Sequence, residues 1–169
     1  RKVYTLAGLA ASIAFVVGLV SIMRPPKKGS EVVAAPPHPF LERVVERNVA
    51  LAKSATPADR LSNLGLLAED VRLEARDLAR VASAEDLKAL AGWYDKLVRE
   101  GLMTQAEALP NLEPAAKATL LRDPAGRLNA AGDDAEQMSR AVPPAAQDSI
   151  RRIADTAKAG QQEVRQLAG

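Results

Sequence analysis

The alternation of apolar and polar positions divides this chain sharply near residue 24. Val3–Met23, VYTLAGLAASIAFVVGLVSIM, has no charge, no Asn, Gln or Pro, and no helical periodicity because every face is apolar. About 20 such residues span a hydrocarbon core as one helix, with every backbone group bonded inside the segment. From Phe40 onward the pattern changes to apolar residues every three or four positions. In Phe40–Lys53, Leu41, Val44, Val45, Val49 and Ala52 form one side, opposite Glu42, Arg43, Glu46 and Arg47. Thr56, Pro57 and Asp59 supply the N-cap, first position and first-turn acid of a second helix, over Pro57–Ala82. Leu61, Leu64, Ala68, Val71, Ala75, Leu78 and Ala82 follow in steps of three and four, the repeat of left-handed helix packing.

Ser83 with Asp86 caps a third helix, running to about Ala108, with Leu87, Leu90, Tyr94, Leu97 and Gly101 in register. Pro110 and Pro114 interrupt the chain, a helix follows over Pro114–Arg122, and Pro124 is expected to kink or restart it. Leu128, Ala131, Ala135, Met138 and Val142 resume the repeat until Pro143-Pro144 stops it. The last helix, Ala145–Leu167, places Ala146, Ile150, Ile153, Ala157, Gly160, Val164 and Leu167 on one face. The expected fold is all-α: an N-terminal transmembrane helix, then an up-and-down bundle of about five helices joined by short turns. The domains read as anchor 1–23, Pro-rich linker 24–39 and helical domain 40–169.

Charge redirects one inference. The net charge of +2 and a pI near 9.1 suggest a nucleic-acid partner. Yet Arg1, Lys2, Arg24, Lys27 and Lys28 all flank the apolar run. Taking these five and Glu31 from the totals of 23 bases and 21 acids leaves 18 bases and 20 acids in residues 40–169. The basicity is that of membrane flanks, where lysines attract anionic lipid, and no basic stripe suits a nucleic-acid backbone. Lipid is therefore one expected partner and nucleic acid is not. Counting Lys and Arg on the two flanks slightly favours a cytoplasmic bundle. The apolar run is too long for a signal-peptide core and ends in Ile22-Met23-Arg24, so an uncleaved anchor is the reading. Within it Ala10, Ala14 and Gly18 recur every four residues, a candidate face for anchor dimerisation.

Candidate chemistry is sparse. With no Cys and a single His, His38 in the proline run APPHPF, neither a nucleophile–base pair nor a thiolate metal site can be assembled. Glu69-Asp70 and Asp133-Asp134 are adjacent carboxylates, which diverge by about 100° on a helix and so do not form an acid–base pair. Arg72, Arg76 and Arg80 form a basic row flanked by acids, read as a solvated face. No phosphate-binding glycine loop occurs. The expectation is no enzyme, no metal and no cofactor. Trp93 and Tyr94, two of the three aromatics beyond the anchor, are candidates for an interaction site or for the widest part of the core.

The layout of a small-residue-rich anchor, Pro-rich spacer and Ala/Arg/Glu-rich helices, with LAGWYDKLVREGLMTQAEALP and PPAAQDSIRRIADTAKAG, resembles bacterial membrane-bound anti-sigma factors or similar single-pass regulators. That resemblance implies an extracytoplasmic helical domain acting by protein–protein contact, with a transcription-regulating domain encoded before Arg1. The alternative is a structural or assembly component of a cell-envelope complex, forming a homo-oligomer through its anchor and helix faces.

Overall fold

The computed structural model describes residues 38–110 and 112–169. The run Val3–Met23, with Ala10, Ala14 and Gly18, and most of the linker lie outside the described residues. Among those described there are helices and no strands. They are α1 Pro39–Lys53, α2 Pro57–Leu78, α3 Ala84–Lys96, α4 Met103–Glu107, α5 Pro114–Ser139 and α6 Pro144–Ala168. A turn of π-helix, Leu97–Leu102, joins α3 to α4, so the bundle has five rods. None of these helices is long and apolar enough to cross a membrane.

The helix starts follow local chemistry. Pro occupies the start of α1, α2, α5 and α6, where its missing N–H has no intrahelical acceptor to lose. At α2 the capping box closes in both directions: Asp59 N–H donates to Thr56 Oγ1 at 3.1 Å and Thr56 N–H to Asp59 Oδ2 at 3.3 Å. Ser83 caps α3 by accepting from Asp86 N–H at 3.1 Å.

Helix α6 is the centre of the packing. It lies along α5 over most of its length and also touches α3 and α4. Being enclosed on several sides, it buries Ala154, Thr156 and Gln161 as well as Ile150, Ile153, Ala157, Gly160 and Val164. Gly160 permits the close approach: a Cβ there would stand 2.6 Å from Val98 Cγ1. Helix α2 bridges to α5 and the π turn, and α1 has its substantial contacts with α2 alone.

Two expectations about helix continuity are corrected. Helix α5 runs through Pro124 as one element of 26 residues. Pro124 is buried in the bundle, and the carbonyl that loses its donor belongs to Leu120, a residue on the exposed side of the helix. In the third rod the π turn inserts one residue into the repeat. Leu102, Ala106 and Leu109 are consequently buried, whereas Gly101, at the position a regular heptad would bury, is only half-buried.

Candidate interaction surface

Helix α1 is attached to the bundle through ionic contacts as well as apolar ones. Successive helical residues turn by about 100°, so Phe40, Val44 and Leu51 share one stripe, and this stripe faces α2. Beside it project Arg43 and Arg47, and both reach the carboxylate of Asp70 on α2. Arg43 Nε lies 2.9 Å from Oδ1, and Arg47 Nε donates to Oδ2 at 3.2 Å. The Arg43 contact is a close ion pair with poor hydrogen-bond alignment. Asp70 is only 5% exposed, so the pair of guanidiniums provides the charge that burial would otherwise leave uncompensated. Beyond it, Glu74 is also buried, with His38 Nε2 at 3.8 Å. Burial raises the Glu74 pKa above its ordinary value, an effect opposed by His38, reinforced by Asp77 and opposed again by Arg43. At the far end Asn63 Nδ2 donates to Ser54 Oγ at 3.0 Å, fastening the α1–α2 turn.

This attachment turns α1 away from the orientation its apolar pattern suggested. Val45 and Val49 are 58% and 47% exposed, and Ala52 beside them is exposed too. The expected inward face Leu41–Val44–Val45–Val49–Ala52 is therefore corrected: Val44 is buried, Leu41 half-buried, and the other three form an outer stripe. The buried Asp70 accounts for the rotation, since burying Val45 and Val49 would withdraw Arg43 and Arg47 from it. Glu42, Glu46 and Lys53 run along one margin of the outer stripe, all on the solvent side.

The expected solvated row Arg72–Arg76–Arg80 is corrected at its first member. Arg72 is 8% exposed and joins α2 to α5, bonding Asp134 with Nη1 and Glu69 with Nη2, the latter at 2.8 Å. The acidic doublets are thus divided between partners: Glu69 and Asp134 meet at Arg72, while Asp70 faces α1. Adjacent residues on one helix point about 100° apart, so Glu69 and Asp70 serve different neighbours.

Of the two aromatics, Tyr94 is 1% exposed and belongs to the core, with its hydroxyl pKa pushed well up by burial, offset by Arg72 and reinforced by Glu69. Trp93 is half-buried and packs against the core margin. The residue after Tyr94, Asp95, opens a polar cleft of about 500 Å³ between α3 and α6. Asp95 accepts from Arg99 at 2.8 Å, from Thr156 at 3.0 Å and from Arg152 at 3.1 Å. Desolvation raises its pKa, but the hydrogen bonds from Arg99, Thr156 and Arg152 outweigh it and leave the net shift downward. The cleft is lined by three Asp and three Arg, so its charges cancel and it selects neither anion nor cation. Among the described residues no group of three His, Cys, Asp or Glu is placed to hold a metal ion.

The sequence reading missed the Asp70 anchor point because its partners lie 23 and 27 residues away and on the side of α1 assigned to solvent. A signal was present: α1 has more apolar arc than one neighbouring helix can cover. No family model, curated protein or solved structure matches this chain.

Proposed function

We propose that this chain is a membrane-anchored helical module that acts by protein–protein contact, with the outer stripe of α1 as its contact surface. The observation that carries the reading is the stripe Val45–Val49–Ala52 on the helix that directly follows the linker. Three exposed apolar residues on one helix face, bordered by Glu42, Glu46 and Lys53, offer a surface for contact. Anchoring rests on the uncharged run Val3–Met23 with its basic flanks. The class we favour is a single-pass regulator of the anti-sigma type, in which contact at the helical domain is signalled across the membrane. A structural component of an envelope assembly is the second reading, favoured by the outer stripe together with the small-residue face Ala10, Ala14 and Gly18.

The test is expression of the full chain with a photo-crosslinking residue in place of Val49, followed by fractionation. The expected result is a chain that resists alkaline extraction from membranes and forms a discrete protein adduct on illumination. Release by alkali would overturn the anchor, and illumination without any protein adduct would overturn the contact surface.

A further inference from the structure

We infer that the outer stripe of α1 is covered by the same stripe of a second copy of this chain, the two helices running antiparallel about Val49. This deepens the proposed contact surface and rests on it. The argument is the distribution of charge beside the stripe. At about 100° per residue, Glu42, Glu46 and Lys53 fall within roughly 40° of one another, all on one margin. The two acids are in the first half of the helix and the lysine is its last residue. When two such helices pack antiparallel, like margins face each other. With Val49 on the two-fold axis, Val45 of each copy comes within one residue's rise of Ala52 of the other, and Glu46 within one residue's rise of Lys53. The helix dipoles also oppose. A parallel pair instead sets Glu42 and Glu46 against the Asn48 margin and gains no ion pair.

The chain outside the structure is compatible with this arrangement. With the two-fold at Val49, antiparallel α1 helices hold their first residues, Pro39 of each copy, about 30 Å apart along the axis at a rise of about 1.5 Å per residue. Fourteen residues separate Met23 from His38 in the sequence, a reach of up to about 46 Å at 3.3 Å per residue. Both copies can therefore be anchored in one membrane while α1 pairs with α1 along its surface. A pair of short helices is a small interface, and co-anchoring raises the effective concentration that it needs. A bilayer surface is the poorer occupant, because Glu42 and Glu46 border the stripe and anionic headgroups repel them.

The absence of Cys makes the geometry directly readable. Single Val49→Cys, Val45→Cys, Ala52→Cys and Val81→Cys chains are expressed at full length in membranes and oxidised mildly. Val81 is 78% exposed at the α2–α3 turn and serves as the reference. The expected result is self-linking of Val49→Cys at least about tenfold above that reference, since both chains share the membrane's effective concentration and only paired α1 helices hold two Val49 sites together. Val45→Cys should link poorly to itself and readily to Ala52→Cys when the two are co-expressed. Glu46→Lys should lower the Val49→Cys linking and Lys53→Glu, added to it, should restore it.

Equal self-linking of Val45→Cys and Val49→Cys would overturn the antiparallel pairing. Linking of Val49→Cys no faster than Val81→Cys would overturn the second copy altogether. In that event the photo-crosslink at Val49 separates the cases: an adduct with a different protein leaves the contact surface standing, whereas an adduct within the chain, or none, removes both.

Discussion

Helices α1 and α6 carry similar proportions of charged residues, yet the bundle treats them differently. Helix α6 is surrounded by α3, α4 and α5, and its apolar positions are enclosed by neighbours. Helix α1 has one principal neighbour, α2, and half of its apolar arc is left to solvent. What fixes the rotation of α6 is volume, as the glycine contact at Val98 demonstrates. What fixes the rotation of α1 is a buried charge, Asp70, that two arginines must reach. A helix oriented by volume leaves no apolar surplus, whereas one oriented by charge can.

Breaking the α6 side should have the largest effect. Ile153 is fully buried, and Ile153→Ala is expected to cost about 2–5 kcal/mol in urea unfolding, lowering protection throughout the bundle. Gly160→Ala comes next, at about 1–3 kcal/mol, because the added methyl overlaps Val98 and presses on Leu128. Should Gly160→Ala instead leave stability unchanged, the close approach of α6 to the π turn would not be a constraint.

On the α1 side the expected effect is local. Asp70→Asn removes the charge shared by Arg43 and Arg47, whose half-exposed guanidiniums can rehydrate. We expect a loss of at most about 1.5–3 kcal/mol, with faster amide exchange confined to residues 39–53. Exchange that accelerates equally in α5 and α6 would contradict the separation of the two regions.

Two carboxylates sharpen the contrast through pH. Glu74, behind α1, has a folded-state pKa raised above 4.5, burial being the main cause. The folded chain holds that proton more tightly than the unfolded chain does. Stability therefore falls as pH rises from 4.5 through the raised value, and Glu74→Gln should flatten that descent. Asp95, between α3 and α6, behaves oppositely: desolvation raises its pKa, but its hydrogen bonds lower it further, to below 3.8. Its contribution is present above pH 3.8 and is lost as pH falls through the lowered value, a loss that Asp95→Asn should remove from acid titration followed by circular dichroism. The smallest effect belongs to Val49→Ser, whose unfolding midpoint should change by no more than about 0.5 kcal/mol equivalent, although the contact surface is altered.

Much of the bundle could be read from spacing alone. The steps of three and four from Ala146 to Val164 identified the buried face of α6, and Leu61 to Ala75 did the same for α2. Thr56 with Pro57, Ser83, and Pro114 located the starts of α2, α3 and α5, the two caps because capping is a contact among residues three apart. Local chemistry and a single period determine such features before any neighbour is known.

The remaining features depended on partners distant in sequence. Pro124 is accommodated within α5, where the bundle buries it and Leu120, four residues before it, lies on the exposed side. The π turn at Leu97–Leu102 shifts the buried positions by one residue, a change that no heptad count anticipates. Arg72 is buried because Asp134, 62 residues away, meets it together with Glu69. The outward turn of Val45 and Val49 follows from the same kind of cause. Hydrophobic periodicity identified the stripes of α1, but only the placement of Asp70 decided which one faces the bundle, because an ion pair constrains two helices at once and periodicity describes each alone.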